Sequence, residues 1–229
     1  MSNIFLENNI YPHTGKIKYH YRDFYQSVFI AFLPFFKVDG YKYTGNGYPS
    51  EKEIYDNGKY VSWNTVIREC GFKDPSELNK ALRTSIGALK KTYSRPDLAD
   101  RLYDFSAKEN IYHPTEGHFD LFSSLAIYKT LTYLGKKNVV VTDEFYENSV
   151  LINLEPITGY EFHEKIDRRD YYIYSEDKEI LFTIEWDSFF FLIATDNYKM
   201  DAIISSNLFE GFLCNHETEH SWDYREDEL

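Results

Sequence analysis

The texture of the chain changes near residue 138, and that change restricts the fold more than any other feature. From about 61 to 135 apolar residues recur at helical spacing, whereas from Asn138 onward short β-branched and aromatic runs are separated by turn residues. The helical stretch carries its own punctuation. Ser62 can cap a short helix through Glu69 that Gly71 stops. Asp74, Pro75 and Glu77 open a second helix, whose stripe is Leu78, Ala81, Leu82, Ser85, Ile86 and Leu89. A third runs from about Phe119 to Leu134 with Leu121, Leu125, Tyr128, Leu131 and Thr132 on one face, and Gly135 ends it.

The strand-rich part is clearest between 171 and 214. Tyr171–Tyr174 reads as a strand, 175–178 as a hairpin turn, Glu179–Trp186 as the return strand and Phe189–Thr195 as a third. An amphipathic helix over Tyr198–Asn207 and a strand over Gly211–Cys214 complete a β-β-β-α-β module. Asn138–Thr142 is a short β-branched strand expected to be buried on both faces. The longest apolar run, Ser27–Phe36, contains Pro34 and is too short to span a bilayer, so it reads as a buried strand or short helix. The expectation is an α+β fold, a helical N-terminal half packed with a C-terminal antiparallel or mixed sheet. Its 229 residues suit a single unit, with a possible subdivision into 1–142 and 143–229.

That subdivision is also electrostatic. Residues 143–229 hold 22 acids against 6 bases and residues 1–142 hold 15 against 19, so a net of −16 faces a net of +4 within the total of −12. Such an excess repels nucleic acid and anionic membrane and attracts basic partners. Aromatic residues reach 18%, with 21 Tyr, a type that serves both core and recognition surface. Two cysteines are too few for a disulfide framework, and the N-terminal residues lack the features of a signal peptide, so a cytoplasmic protein is expected.

Four strings carry a family resemblance: Ala-Leu-Arg-Thr-Ser-Ile-Gly-Ala-Leu-Lys-Lys at 81–91, Phe-Thr-Ile-Glu-Trp-Asp-Ser-Phe-Phe at 182–190, Phe-Glu-Gly-Phe-Leu-Cys at 209–214 and Thr-Glu-His-Ser-Trp at 218–222. Together they resemble an uncharacterised family of Bacillus-type bacteria, a domain of unknown function. The resemblance implies a bacterial cytoplasmic protein and no particular activity.

The motifs that could carry chemistry are few. His216-Glu217-Thr218-Glu219-His220 matches the zinc-hydrolase pattern, in which two imidazoles share a helix face and the Glu is a general base. Here a strand leads into it, few residues remain to supply a third ligand, and Cys214 is the nearest further donor. A surface turn is expected, with His216, His220 and Cys214 the candidate metal ligands of a metal-dependent hydrolase. His113 and His118 bracket a loop with Glu116, where an imidazole could act as a base, but no partnered nucleophile is evident. The loop 40–50 has three glycines without the Lys-Ser/Thr ending of a phosphate loop.

Residues 63–89 resemble the helix-turn-helix of AraC-type regulators, and 61–95 hold 7 bases against 3 acids. The outward residues there, taken as Glu77, Asn79 and Lys80, make a poor basic comb, and the net charge opposes DNA phosphates. Nucleic acid is therefore not the expected partner. The leading expectation is a non-enzymatic binding protein without a cofactor, whose acidic face takes a basic protein, as an immunity-type inhibitor covers a toxin nuclease. Its expected contact acids are Glu176, Asp177 and Glu179 at the hairpin, with Asp187 and the tail acids Glu226, Asp227 and Glu228. The hairpin and tail acids are expected to be dispensable for folding, whereas Asp187 could cap the break after Trp186 at a cost of about 1 kcal/mol when lost.

Overall fold

The computed structural model describes residues 11–43, 47–143, 147–166 and 172–223. The chain divides into two compact units, one joining the chain up to Phe32 with Gly117–Ser221 and the other joining Leu33–Glu116 with the chain from Trp222. The composition break at 142/143 lies inside unit one. The expected α+β class is the observed one: eight helices and a seven-stranded antiparallel sheet are present among the described residues.

Unit one is built on that sheet, in the strand order β5 (Ser149–Asn153), β4 (Asn138–Thr142), β6 (Tyr172–Ser175), β7 (Ile180–Ile184), β8 (Phe190–Thr195), β1 (Ser27–Phe32), β9 (Gly211–Leu213). Strand β1 (Ser27–Phe32) is buried along its whole length. It ends before Leu33-Pro34, since proline has no N–H to continue a ladder. The apolar run therefore splits into two strands, one in each unit. The expected module is present as β6 (Tyr172–Ser175), β7 (Ile180–Ile184), β8 (Phe190–Thr195), α8 (Asn197–Ser205) and β9 (Gly211–Leu213). Tyr171 lies outside the described residues.

Sequence order nevertheless hides the pairing at one edge. Strand β1 lies between β8 and β9, in register from Ser27 opposite Thr195 to Phe32 opposite Phe190. At the other edge β4 (Asn138–Thr142) pairs with both β6 and β5 (Ser149–Asn153). Val139 and Val141 of β4 are buried, whereas Val140 is half-buried, so the strand is not enclosed on both faces as expected. Helix α1 (Ile17–Tyr21) precedes β1. Helix α6 (Leu121–Tyr133) is capped by Asp120, α8 by Asp196, and α7 (Gly159–Ile166) lies between β5 and β6.

Unit two pairs β2 (Phe35–Val38) with β3 (Gly58–Val61) and adds α2 (Glu51–Asn57), α3 (Trp63–Cys70), α4 (Pro75–Ser85) and α5 (Pro96–Glu109). Trp63 is fully buried and its Nε1 donates to the Leu33 carbonyl at 2.7 Å. Ser50 and Glu53 form a capping box on α2, Ser62 caps α3, and Gly71 ends α3 in the left-handed region at φ +68°. Asp74 and Pro75 begin α4 as expected, but the helix closes at Ser85 and leaves Ile86 exposed.

Gly211 shows how tightly the β1–β9 edge is built. Its φ is +156°, and a Cβ there would collide with the Ile30 carbonyl. Gly211→Ala is expected to detach β9 and cost roughly 2–3 kcal/mol, measured by urea unfolding. An unchanged midpoint would show that the edge pairing adds no stability.

Candidate functional site

The site with most chemistry among the described residues of unit one lies at the end of β7. An antiparallel bridge joins Lys16 to Glu219, with Ile17 N–H donating to Thr218 O at 3.0 Å and His220 N–H to Gly15 O at 2.8 Å. The second segment turns because the Asn215 side chain accepts from Glu217 N–H at 2.8 Å, an Asx turn. These bonds carry His13 and His220 to one carboxylate. Glu185 Oε1 lies 2.8 Å from His13 Nδ1 and Glu185 Oε2 lies 3.2 Å from His220 Nε2. The buried Tyr11 ring packs beside both imidazoles, at 5.5 Å and 6.1 Å between centroids.

Burial opposes ionisation of Glu185, but hydrogen bonds from His220 and His13 outweigh it and hold its carboxyl below the usual carboxylate range. The next residues face outward. Trp186 is 59% exposed and Asp187 is exposed, on the turn between β7 and β8. That turn is buttressed from behind. Gly117 N–H donates to Ser188 O at 3.0 Å, and a Cβ on Gly117 would come within 3.2 Å of the Trp186 Cα. Gly117 also has φ +73°, so glycine is favoured there on two counts.

The hydrolase arrangement does not form. Residues 216–217 make a turn rather than a helix, Glu217 pairs with Lys16 at 2.6 Å, and His220 faces Glu185. Burial pushes the Cys214 and Cys70 thiols up to about 12, which suits packing and not ligation or nucleophilic attack. Among the described residues no group of three or more His, Cys, Asp or Glu side chains is placed so that it could hold a metal ion.

His113 does meet a hydroxyl, sharing a 2.8 Å hydrogen bond with Ser106 Oγ. Ser106 is fully buried in α5, however, and burial lowers His113 to about 4, leaving a neutral imidazole stacked on Tyr43. The pair fastens the start of the 113–118 loop and presents no nucleophile.

Of the four expected contact acids that lie outside the tail, three are engaged within the chain. Lys136 reaches Asp177 at 2.6 Å and Glu179 at 2.5 Å, Lys199 reaches Glu179 at 3.2 Å, and Asn138 Nδ2 donates to Glu176 at 2.9 Å. The Lys136 side chain is only 9% exposed, so Asp177 and Glu179 pair with a nearly buried ammonium. Asp187 is the one left facing solvent with no ion pair among the described residues. The tail acids Glu226, Asp227 and Glu228 lie outside the described residues.

On α4 the residues expected to face outward face inward. Glu77, Asn79 and Lys80 are buried, and Asn79 Nδ2 and Arg83 Nη1 donate to Asp223 Oδ2 at 3.0 Å and 3.2 Å. The sequence reading missed His13 and Glu185. The available signal was an acid directly following the run Ile180–Ile184, apolar but for Thr183, since a carboxylate there must find a partner.

The chain belongs to the family described as "Protein of unknown function (DUF2711)", which matches residues 13–224. It is similar to "Uncharacterized protein YwbB" of Bacillus subtilis (strain 168), 28% identical over 207 residues that cover 86% of this chain and 90% of that one. No solved structure matches it.

Glu185→Gln removes the charge that gathers the two histidines and is expected to cost about 1 kcal/mol near neutral pH. A carboxyl with a lowered folded pKa contributes stability above its unfolded value, lost as pH falls through the folded one. The variant should therefore lose less stability than the wild type between neutrality and the acid range, in urea unfolding at each pH. Parallel acid limbs would show that Glu185 carries no such coupling.

Proposed function

We propose that this chain is a non-enzymatic binding protein whose acidic sheet unit engages a basic protein partner, with Trp186 and Asp187 at the contact. The observation that carries the reading is Trp186, an exposed indole held on a buttressed turn beside an acid. Tryptophan is enriched among residues that dominate binding energy, and a pre-set turn lowers the ordering cost of using it. Charge supports the same direction. Unit one holds 21 acids and 11 bases, a net of −10, and unit two holds 16 and 14, a net of −2. The sheet unit thus stays strongly acidic after its own lysines are counted, which favours rapid encounter with a basic surface.

An immunity-type inhibitor of a toxin nuclease is one concrete form, since such a partner has a basic active site to be covered. A cytoplasmic setting fits two buried thiols that are both held protonated. No helix among the described residues is long and apolar enough to cross a membrane.

Affinity capture from cell extract with the wild type and with Trp186→Ala/Asp187→Asn tests the reading. A basic protein is expected on the wild type, eluting as salt rises, with retention at least about tenfold lower on the double variant. The variant's unfolding free energy is expected within about 1 kcal/mol of wild type. Equal retention on both proteins overturns the proposal. Capture of a DNA fragment instead would favour the helix-turn-helix reading through 63–89.

A further inference from the structure

A second feature of unit one is independent of the partner reading. A cavity of about 410 Å³ lies between α6 and α8, lined by Lys129, Thr130, Tyr133, Ala202, Ile203 and Leu208, with two serines beside them. The volume falls in the range of small-molecule sites, and most of the wall is apolar. Thr130 is 2% exposed, and its Oγ1 has no hydrogen-bond partner. A helical threonine hydroxyl commonly bonds the carbonyl one turn back, as Thr132 does to Tyr128 O at 2.9 Å. Thr130 makes no such bond, and a buried hydroxyl left unpaired is unfavourable. Lys129 stands exposed at the rim, and among the described residues its ammonium has no ion pair, although unit one carries ten more acids than bases.

We propose that this cavity binds a small amphipathic monocarboxylate, its apolar body against Ala202, Ile203, Leu208 and the Tyr133 ring and its carboxylate at Lys129. The hydroxyl of Thr130 meets the polar end after a rotation about χ1. The acid excess of the unit argues for a single anionic group, because further negative charge would be repelled. Among the described residues Lys129 is the one cation lining the cavity.

Calorimetric titration of the full chain with decanoate, kept below its micelle concentration, tests the site, with decanol and decyltrimethylammonium as neutral and cationic probes. Saturable one-to-one binding of decanoate is expected, stronger than that of decanol, with none for the cation. Lys129→Gln is expected to weaken decanoate about fivefold and leave decanol unchanged. Thr130→Val is expected to raise the melting temperature of the unliganded protein while weakening decanoate by a similar factor. Ala202→Phe fills the cavity and is expected to abolish binding of both probes. If that variant unfolds, the Ile203 and Leu208 methyl shifts of the wild type on titration report occupancy directly. Binding of no probe, equal binding of all three, or decanoate affinity unchanged in both Lys129→Gln and Thr130→Val overturns the proposal.

Discussion

The pairing of Ser27–Phe32 with Phe190–Thr195 governs unit one. Both strands are buried throughout, and six residues pair in unbroken register across a very long separation in sequence. Such a closure is slow to form, because the loop entropy is lost before the contact is gained, yet its cost grows only slowly with loop length. Once β1 is seated, its free edge becomes the template for β9. Cys214 N–H donates to Val28 O at 2.9 Å and Phe32 N–H to Glu210 O at 2.8 Å. The residues after β9 then meet those before α1, and only that meeting carries His13 and His220 to Glu185. The candidate site is thus a consequence of strand order.

The acid excess is more local than the sequence suggests. Lysines from the mildly basic first half neutralise acids of the second: Lys136 at the hairpin, Lys137 at Glu155 and Lys16 at Glu217. A carboxylate held by a nearly buried lysine is part of the fold, because removing it leaves a cation with poor access to water. This separates Asp177 and Glu179 from Asp187, although all three look alike in sequence. Trp186 and Asp187 mark where an aromatic and an acid face solvent together.

Local signals in the sequence were legible where local chemistry decides the outcome. Ser62, Asp74 and Gly71 act as caps and stops because each answers to a few neighbouring backbone groups. The module from β6 to β9 was legible for the same reason, its turns lying where polar residues interrupt apolar runs. The place of strand β1 between β8 and β9 was not, because an apolar run does not state which edge it will join. Helix α5 and strand β5 passed without a clear signal. The Glu185 cluster was illegible because its three members lie in three separate segments. The zinc-like pattern was legible and pointed elsewhere, since five residues cannot state whether their backbone is helical.

Helix α4 carries the same lesson for charge. The basic balance of 61–95 suggests a surface for phosphates, but most of its cations are already answered. Arg68 pairs with Glu69, Lys73 with Glu77, Arg95 with Asp97 and Arg83 with the buried Asp223. Asp223 lies far along the chain, so no window of sequence around α4 reveals that Asn79 and Arg83 have a buried acid to bind. A recognition helix must leave polar side chains free to reach base edges. In α4 the polar residues Glu77, Asn79 and Lys80 are enclosed, and Asn79 ties the helix to Asp223.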